Sequence, residues 1–109
     1  MELNQSQKEA LTQLLKEALF YWEAHLMKSK VELAEACGYW KVHKSGTKNR
    51  TRTLDRYLDP EKLPNNPRWQ EVIKTVRFVQ KQPLDRECKI NLETKTNRWI
   101  EEIMRQNNT

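Results

Sequence analysis

Three stretches of this chain space their apolar residues three and four apart, and that spacing limits the folds open to it. Leu11, Leu14, Leu15, Ala18, Trp22 and Leu26 make the first; Trp69, Val72, Ile73, Val76 and Val79 the second; Trp99, Ile100, Ile103 and Met104 the third. At 3.6 residues per turn each set lies on one side of a helix, which must then be covered by a partner. Only two glycines occur in 109 residues, so the turns of a large sheet have few places to form. The spacing predicts a mainly α fold, a small helical domain of four to five helices.

Local signals set the boundaries. Ser6-Gln-Lys-Glu9 has the form of a capping box, in which the hydroxyl and the carboxylate each accept from an otherwise unpaired N–H of the first turn. It places the first helix at roughly 7–27. Ser29-Lys-Val-Glu32 repeats the signature, and Gly38 is placed to end a second helix, about 30–37, in a left-handed conformation. Leu54, Tyr57 and Leu58 suggest one or two further helical turns, stopped at Asp59-Pro60. Residues 59–67, rich in Pro and Asn, read as a connector, with one turn from Pro60 to Leu63. Asn66-Pro67 fits the N-cap and first position of the next helix, which runs to about Lys81. Downstream, Cys88, Ile90 and Leu92 alternate as a strand would, yet a single helix from Leu84 or Asp85 suits the region better.

Between the second helix and Leu54 the texture changes. Tyr39-Trp-Lys-Val-His-Lys44 and Lys48-Asn-Arg-Thr-Arg-Thr53 flank Ser45-Gly46-Thr47, the pattern of a two-stranded hairpin at about 39–53. Alternation puts Lys41 and His43 on one face and Trp40 and Val42 on the other, the latter two fastening the hairpin to the helices. Arg50 and Arg52 would share a face beyond the turn. This stretch also holds the charge: residues 41–56 carry six cations and one acid, while the flanking segments stand at −2 and +2 of the total +5. Charge focused on a small surface draws phosphate far better than scattered lysines do. Lys41, His43, Lys44, Lys48, Arg50, Arg52 and Arg56 are therefore the candidate nucleic-acid-binding residues. A solvated loop that protects an edge strand is the plainer account of the same charges.

Ser29 to Gly38 also has the pattern of the first helix of a helix-turn-helix, with small Ala34 facing its partner and Gly38 at the turn. A short capped helix ended by glycine has the same appearance, and here a basic hairpin precedes the next helix. His25, between Trp22 and Leu26, reads as a core or boundary histidine. His25, His43, Cys37 and Cys88 match no zinc spacing, so no metal site and no cofactor is expected. No nucleophile–base pattern, carboxylate pair or phosphate loop stands out, which makes an enzyme the weakest class.

At 109 residues the chain is expected to form one domain spanning 1–109. The 37% hydrophobic and 32% charged content implies a modest core under a heavily ionised surface. No apolar run is long enough to span a bilayer and no signal peptide follows Met1, while two distant cysteines give no disulfide framework. A cytoplasmic protein with no membrane partner is the expectation.

Residues 29–58 resemble the N-terminal segment of the cyanobacterial AbrB-like transcription regulators. The resemblance rests on Ser29-x-x-Glu-Leu-Ala-x-Ala-Cys-Gly-Tyr39, the Lys/Thr-rich turn, and the Arg50-to-Tyr57 ending. It covers about thirty residues and implies an accessory unit shared with those regulators. Residues 60–109 do not carry the pattern of that family's β-rich swapped-hairpin domain.

These observations converge on a small nucleic-acid-binding protein, a helix-turn-helix-like transcriptional regulator that contacts phosphates through a basic hairpin, with duplex DNA favoured over RNA. Two alternatives differ in class: a helical backbone-binding subunit of a larger ribonucleoprotein or defence complex, and an adaptor docking on an acidic partner. The sequence is compatible with a homodimer or a larger complex.

Overall fold

The computed structural model describes residues 2–46 and 48–107. Five helices and one hairpin follow in the order α1 (Gln5–Leu26), α2 (Lys30–Cys37), β1 (His43–Ser45), β2 (Lys48–Arg50), α3 (Arg52–Tyr57), α4 (Trp69–Gln80) and α5 (Arg86–Asn107). Helix makes up 67% of the structure, as the three apolar stripes require.

Helix α1 is the central element and packs against α2, α4 and α5. Its inward side is the expected stripe: Leu11, Leu14, Leu15, Ala18 and Trp22 are all buried. Val72, Ile73, Val76 and Val79 of α4, and Cys88, Leu92, Trp99 and Ile103 of α5, meet it in one hydrophobic cluster among the described residues. Trp69 and Trp99 pack ring to ring at 5.5 Å. Along one edge of the α1–α5 seam, Glu17 accepts from Lys95 Nζ at 2.7 Å and from Tyr21 Oη at 3.1 Å.

Several boundaries move from their predicted places. The first helix begins two residues earlier than the Ser6–Glu9 box implies, because Asn4 and Gln7 form the capping box instead: Asn4 Oδ1 accepts from the Gln7 N–H at 2.8 Å. The Asn66-Pro67 start is also displaced. Helix α4 begins at Trp69 with Arg68 as its N-cap, and no side chain caps it. The Arg68 N–H is instead taken by the Tyr57 hydroxyl at 2.9 Å. Residues 86–107 are helix throughout. Asp85 Oδ1 accepts from the Cys88 N–H at 2.9 Å, and the apparent alternation resolves into buried Cys88 and Leu92 around an exposed Ile90.

The hairpin is shorter than 39–53 suggests, with only His43–Ser45 and Lys48–Arg50 paired. Two consequences follow for the candidate residues. Lys41 lies before the ladder, and Arg52, expected beside Arg50 on a strand face, is the first residue of α3. Thr51 ends the strand run: it is buried, and its hydroxyl donates to Asp55 at 2.9 Å, which suits a helix start better than a strand.

Candidate nucleic-acid interface

The interface is assembled by α2, the hairpin and α3. Helix α2 is sealed at both ends by its own sequence. Ser29 accepts from the Glu32 N–H, Glu32 reaches back to the Ser29 N–H, and Gly38 at φ 77° donates its N–H to Ala34 O. That left-handed residue turns the chain sharply, which a side-chain-bearing residue would do only under strain. Leu33 and Ala34 point into the core from α2, and Leu54 and Tyr57 from α3. The two short helices are linked on their outer side by Lys30 Nζ, 2.5 Å from Asp55 Oδ1.

Trp40 fastens the hairpin to the body. It is 4% exposed, its indole N–H donates to Thr75 Oγ1 of α4 at 2.8 Å, and its ring lies 5.1 Å from that of Tyr57. Val42 packs against the same core, so the expected attachment through Trp40 and Val42 is what the structure has. The ladder pairs His43 with Arg50, Lys44 with Asn49 and Ser45 with Lys48 across Gly46, which sits at φ 60°. Directly opposed residues and those two apart share a face, so Arg50 and Lys48 lie on the side of half-buried His43, and Lys44 on the other.

Lys41, Lys44, Lys48, Arg50, Arg52 and Arg56 are all exposed. None of the six forms an ion pair among the described residues. The one acid of the stretch, Asp55, is engaged by Lys30 and by the Thr51 hydroxyl. A lysine outside the basic run thus occupies the carboxylate that could have quenched it. Arg52 and Arg56, four residues apart, project from one side of α3 next to the hairpin's cations. Such a surface attracts polyanions through long, solvated cationic arms.

His25 is exposed rather than part of the core, contrary to its place in the apolar stripe. It stands in the last turn of α1. Its Nε2 lies 3.7 Å from the Sγ of buried Cys88, and one donor atom each from His25, Asp85 and Cys88 fall within 4.8 Å of one another. Neither Cys37 nor His43 joins them. This cluster brings together residues 60 apart, which no linear spacing reveals. Burial, reinforced by the carboxylate of Asp85, pushes the Cys88 thiol up to about 11. Since the thiolate is the reactive form, Cys88 is expected to alkylate with iodoacetamide at pH 8 at least about tenfold more slowly in the folded protein than in denaturant. Mass spectrometry over time reads this directly; equal rates would mean that the thiol is open to solvent and ionised.

No protein-family model matches the sequence, and no curated protein matches it either. A solved structure does. The fold is similar to the crystal structure of the DNA-binding domain from the sensor histidine kinase ChiS of Vibrio cholerae, with a TM-score of 0.79 and 28% sequence identity. The likeness covers 91% of this chain and 94% of that one. It extends over most of the chain rather than over a shared pair of helices.

Proposed function

We propose that this chain is a DNA-binding module of a transcriptional regulator, in which α2 and α3 act as the two helices of a helix-turn-helix separated by a basic hairpin. The carrying observation is the likeness to a DNA-binding domain over nine-tenths of the chain at 28% identity. The charge map agrees with it independently: six exposed cations, without ion-pair partners among the described residues, lie just before the hairpin, on it and on α3. In this reading Lys41, Lys44, Lys48 and Arg50 hold phosphates, His43 adds a ring nitrogen beside Arg50, and α3 presents Arg52 and Arg56 to the groove. Binding needs no cofactor, since the cations themselves supply the attraction. Residues 29–58, which resemble the AbrB-like regulators' N-terminal segment, make up the α2–hairpin–α3 unit, and that resemblance implies an accessory unit rather than the family's own DNA-binding domain.

Binding to duplex DNA, single-stranded DNA and RNA across a salt series tests the proposal. Duplex DNA is expected to bind tightest, with the logarithm of affinity falling linearly against the logarithm of salt. Equal affinity for all three would favour a backbone-holding subunit. No binding to any of them at about 50 mM salt, where phosphate attraction is strong, would overturn the proposal.

A further inference from the structure

Four cations outside the hairpin and α3 form a second basic surface. Lys74, Arg77 and Lys81 are spaced three and four apart on α4 and at its C-cap, all exposed, opposite the buried Val72, Ile73, Val76 and Val79. Arg77 and Lys81 continue into an open cleft of about 660 Å³, whose far wall is α5 with Lys89, Glu93, Thr96 and Asn97. Among the described residues none of Lys74, Arg77, Lys81 and Lys89 forms an ion pair, and Glu93 is the sole acid lining the cleft. The Thr96 hydroxyl, on a residue 1% exposed, has no hydrogen-bond partner. One cation in the last turn would satisfy the negative end of the helix. Four cations across two helices exceed that need.

This surface joins the first one. Lys74 Nζ stands 5.8 Å from the ring of Tyr39, the residue between the Gly38 turn and the Trp40 anchor. Basic charge therefore continues from the root of the hairpin along α4 and into the α4–α5 cleft. From Lys74 to Lys81 the helix rises about 10 Å, which spans roughly three phosphates on one strand of a duplex.

We infer that the α4 face, through Lys74, Arg77 and Lys81 with Lys89 beyond, is a second phosphate-contacting site that holds the backbone of the same duplex past the hairpin and α3. The inference rests on the DNA-binding reading and extends it to residues far from the basic run. The site reads no bases, because long cationic side chains on a flank reach backbone oxygens and carry no donor–acceptor code. It lengthens the footprint and adds to affinity on any sequence.

The test compares the parent, a Lys74→Gln/Arg77→Gln/Lys81→Gln variant, and a Lys16→Gln/Arg98→Gln/Arg105→Gln variant that removes the same charge from the α1–α5 side, with circular dichroism melting as a fold control. On duplex DNA the α4 variant is expected to lose about two to three units of the log–log salt slope, equally for every sequence, while the second variant keeps the parent's slope. An unchanged slope in the α4 variant, or an equal fall in both variants, overturns the inference and leaves the DNA-binding reading standing. Failure of the parent itself to bind duplex DNA overturns both.

Discussion

Replacing Leu15 with alanine is expected to cost about 2–5 kcal/mol in denaturant unfolding, a loss set by the buried methyl groups and the cavity left behind. Leu15 is 0% exposed in α1, and that helix is covered by α2, α4 and α5 together. A void there is flanked by three helices that cannot all shift to fill it. Domains of this size have about 5–15 kcal/mol of stability to lose, so the variant should unfold at markedly lower denaturant. Phe20→Ala on the same helix is the matched control. Phe20 is 61% exposed, and its loss should change stability by no more than about 0.5 kcal/mol. A Leu15→Ala effect below about 1 kcal/mol would mean that α1 is a docking surface and not the centre of the core.

How far the sequence could be read depended on whether a signal was closed within a few residues. Ser29, Glu32 and Gly38 give α2 its limits through bonds between residues three or four apart, so Lys30–Cys37 agrees with the predicted 30–37. The start of α1 is set by Asn4 and Gln7 rather than by the expected Ser6–Glu9 box. The choice was made by distant contacts: Leu3 is buried, and its N–H donates to Asn65 O. Helix α4 likewise begins after Arg68 because Tyr57, eleven residues away, takes the backbone donor. The alternation of Cys88, Ile90 and Leu92 was ambiguous because buried positions two and four apart serve either period; α1 and α4 covering only Cys88 and Leu92 decided it.

The candidate site was legible as charge and illegible as shape. Six cations against one acid could be counted, and Trp40 could be assigned as an anchor. The use of Lys30 to occupy Asp55, and of Thr75 to hold the indole, joins elements whose approach only the fold determines. Arg52 left the strand for α3 because Thr51, as a buried residue bonded to Asp55, ends the extended run. A sharper signal lay unused in α4: cations at 74, 77 and 81 repeat the helical spacing of the apolar residues on the opposite side. They were spread too thinly along the chain to register in a charge count.

The division between hairpin and α3 gives the functional prediction with the largest effect. A Lys44→Gln/Lys48→Gln/Arg50→Gln variant removes three exposed cations and keeps long polar side chains, so stability should change by no more than about 0.5 kcal/mol. If these residues hold phosphates, its log–log salt slope on duplex DNA should shrink by roughly 3 units, since each neutralised phosphate contributes about 0.9. Between 50 and 200 mM salt, three contacts amount to about a fortyfold difference in how steeply affinity falls. The loss should be the same on every duplex, because phosphate contacts position the protein and carry no sequence information. Arg52→Gln/Arg56→Gln should behave differently. These arginines stand on the short helix that follows the hairpin, where a helix-turn-helix places its base-reading residues. Their loss should lower affinity for a preferred sequence by about 1–3 kcal/mol per bidentate contact and leave binding to random duplex less affected, narrowing the specificity ratio. Competition assays with specific and random duplexes measure both. Uniform loss in the α3 variant would make Arg52 and Arg56 backbone contacts and remove base reading from α3. A hairpin variant that binds as tightly as the parent, with an unchanged slope, would reduce the basic stretch to a solvated loop.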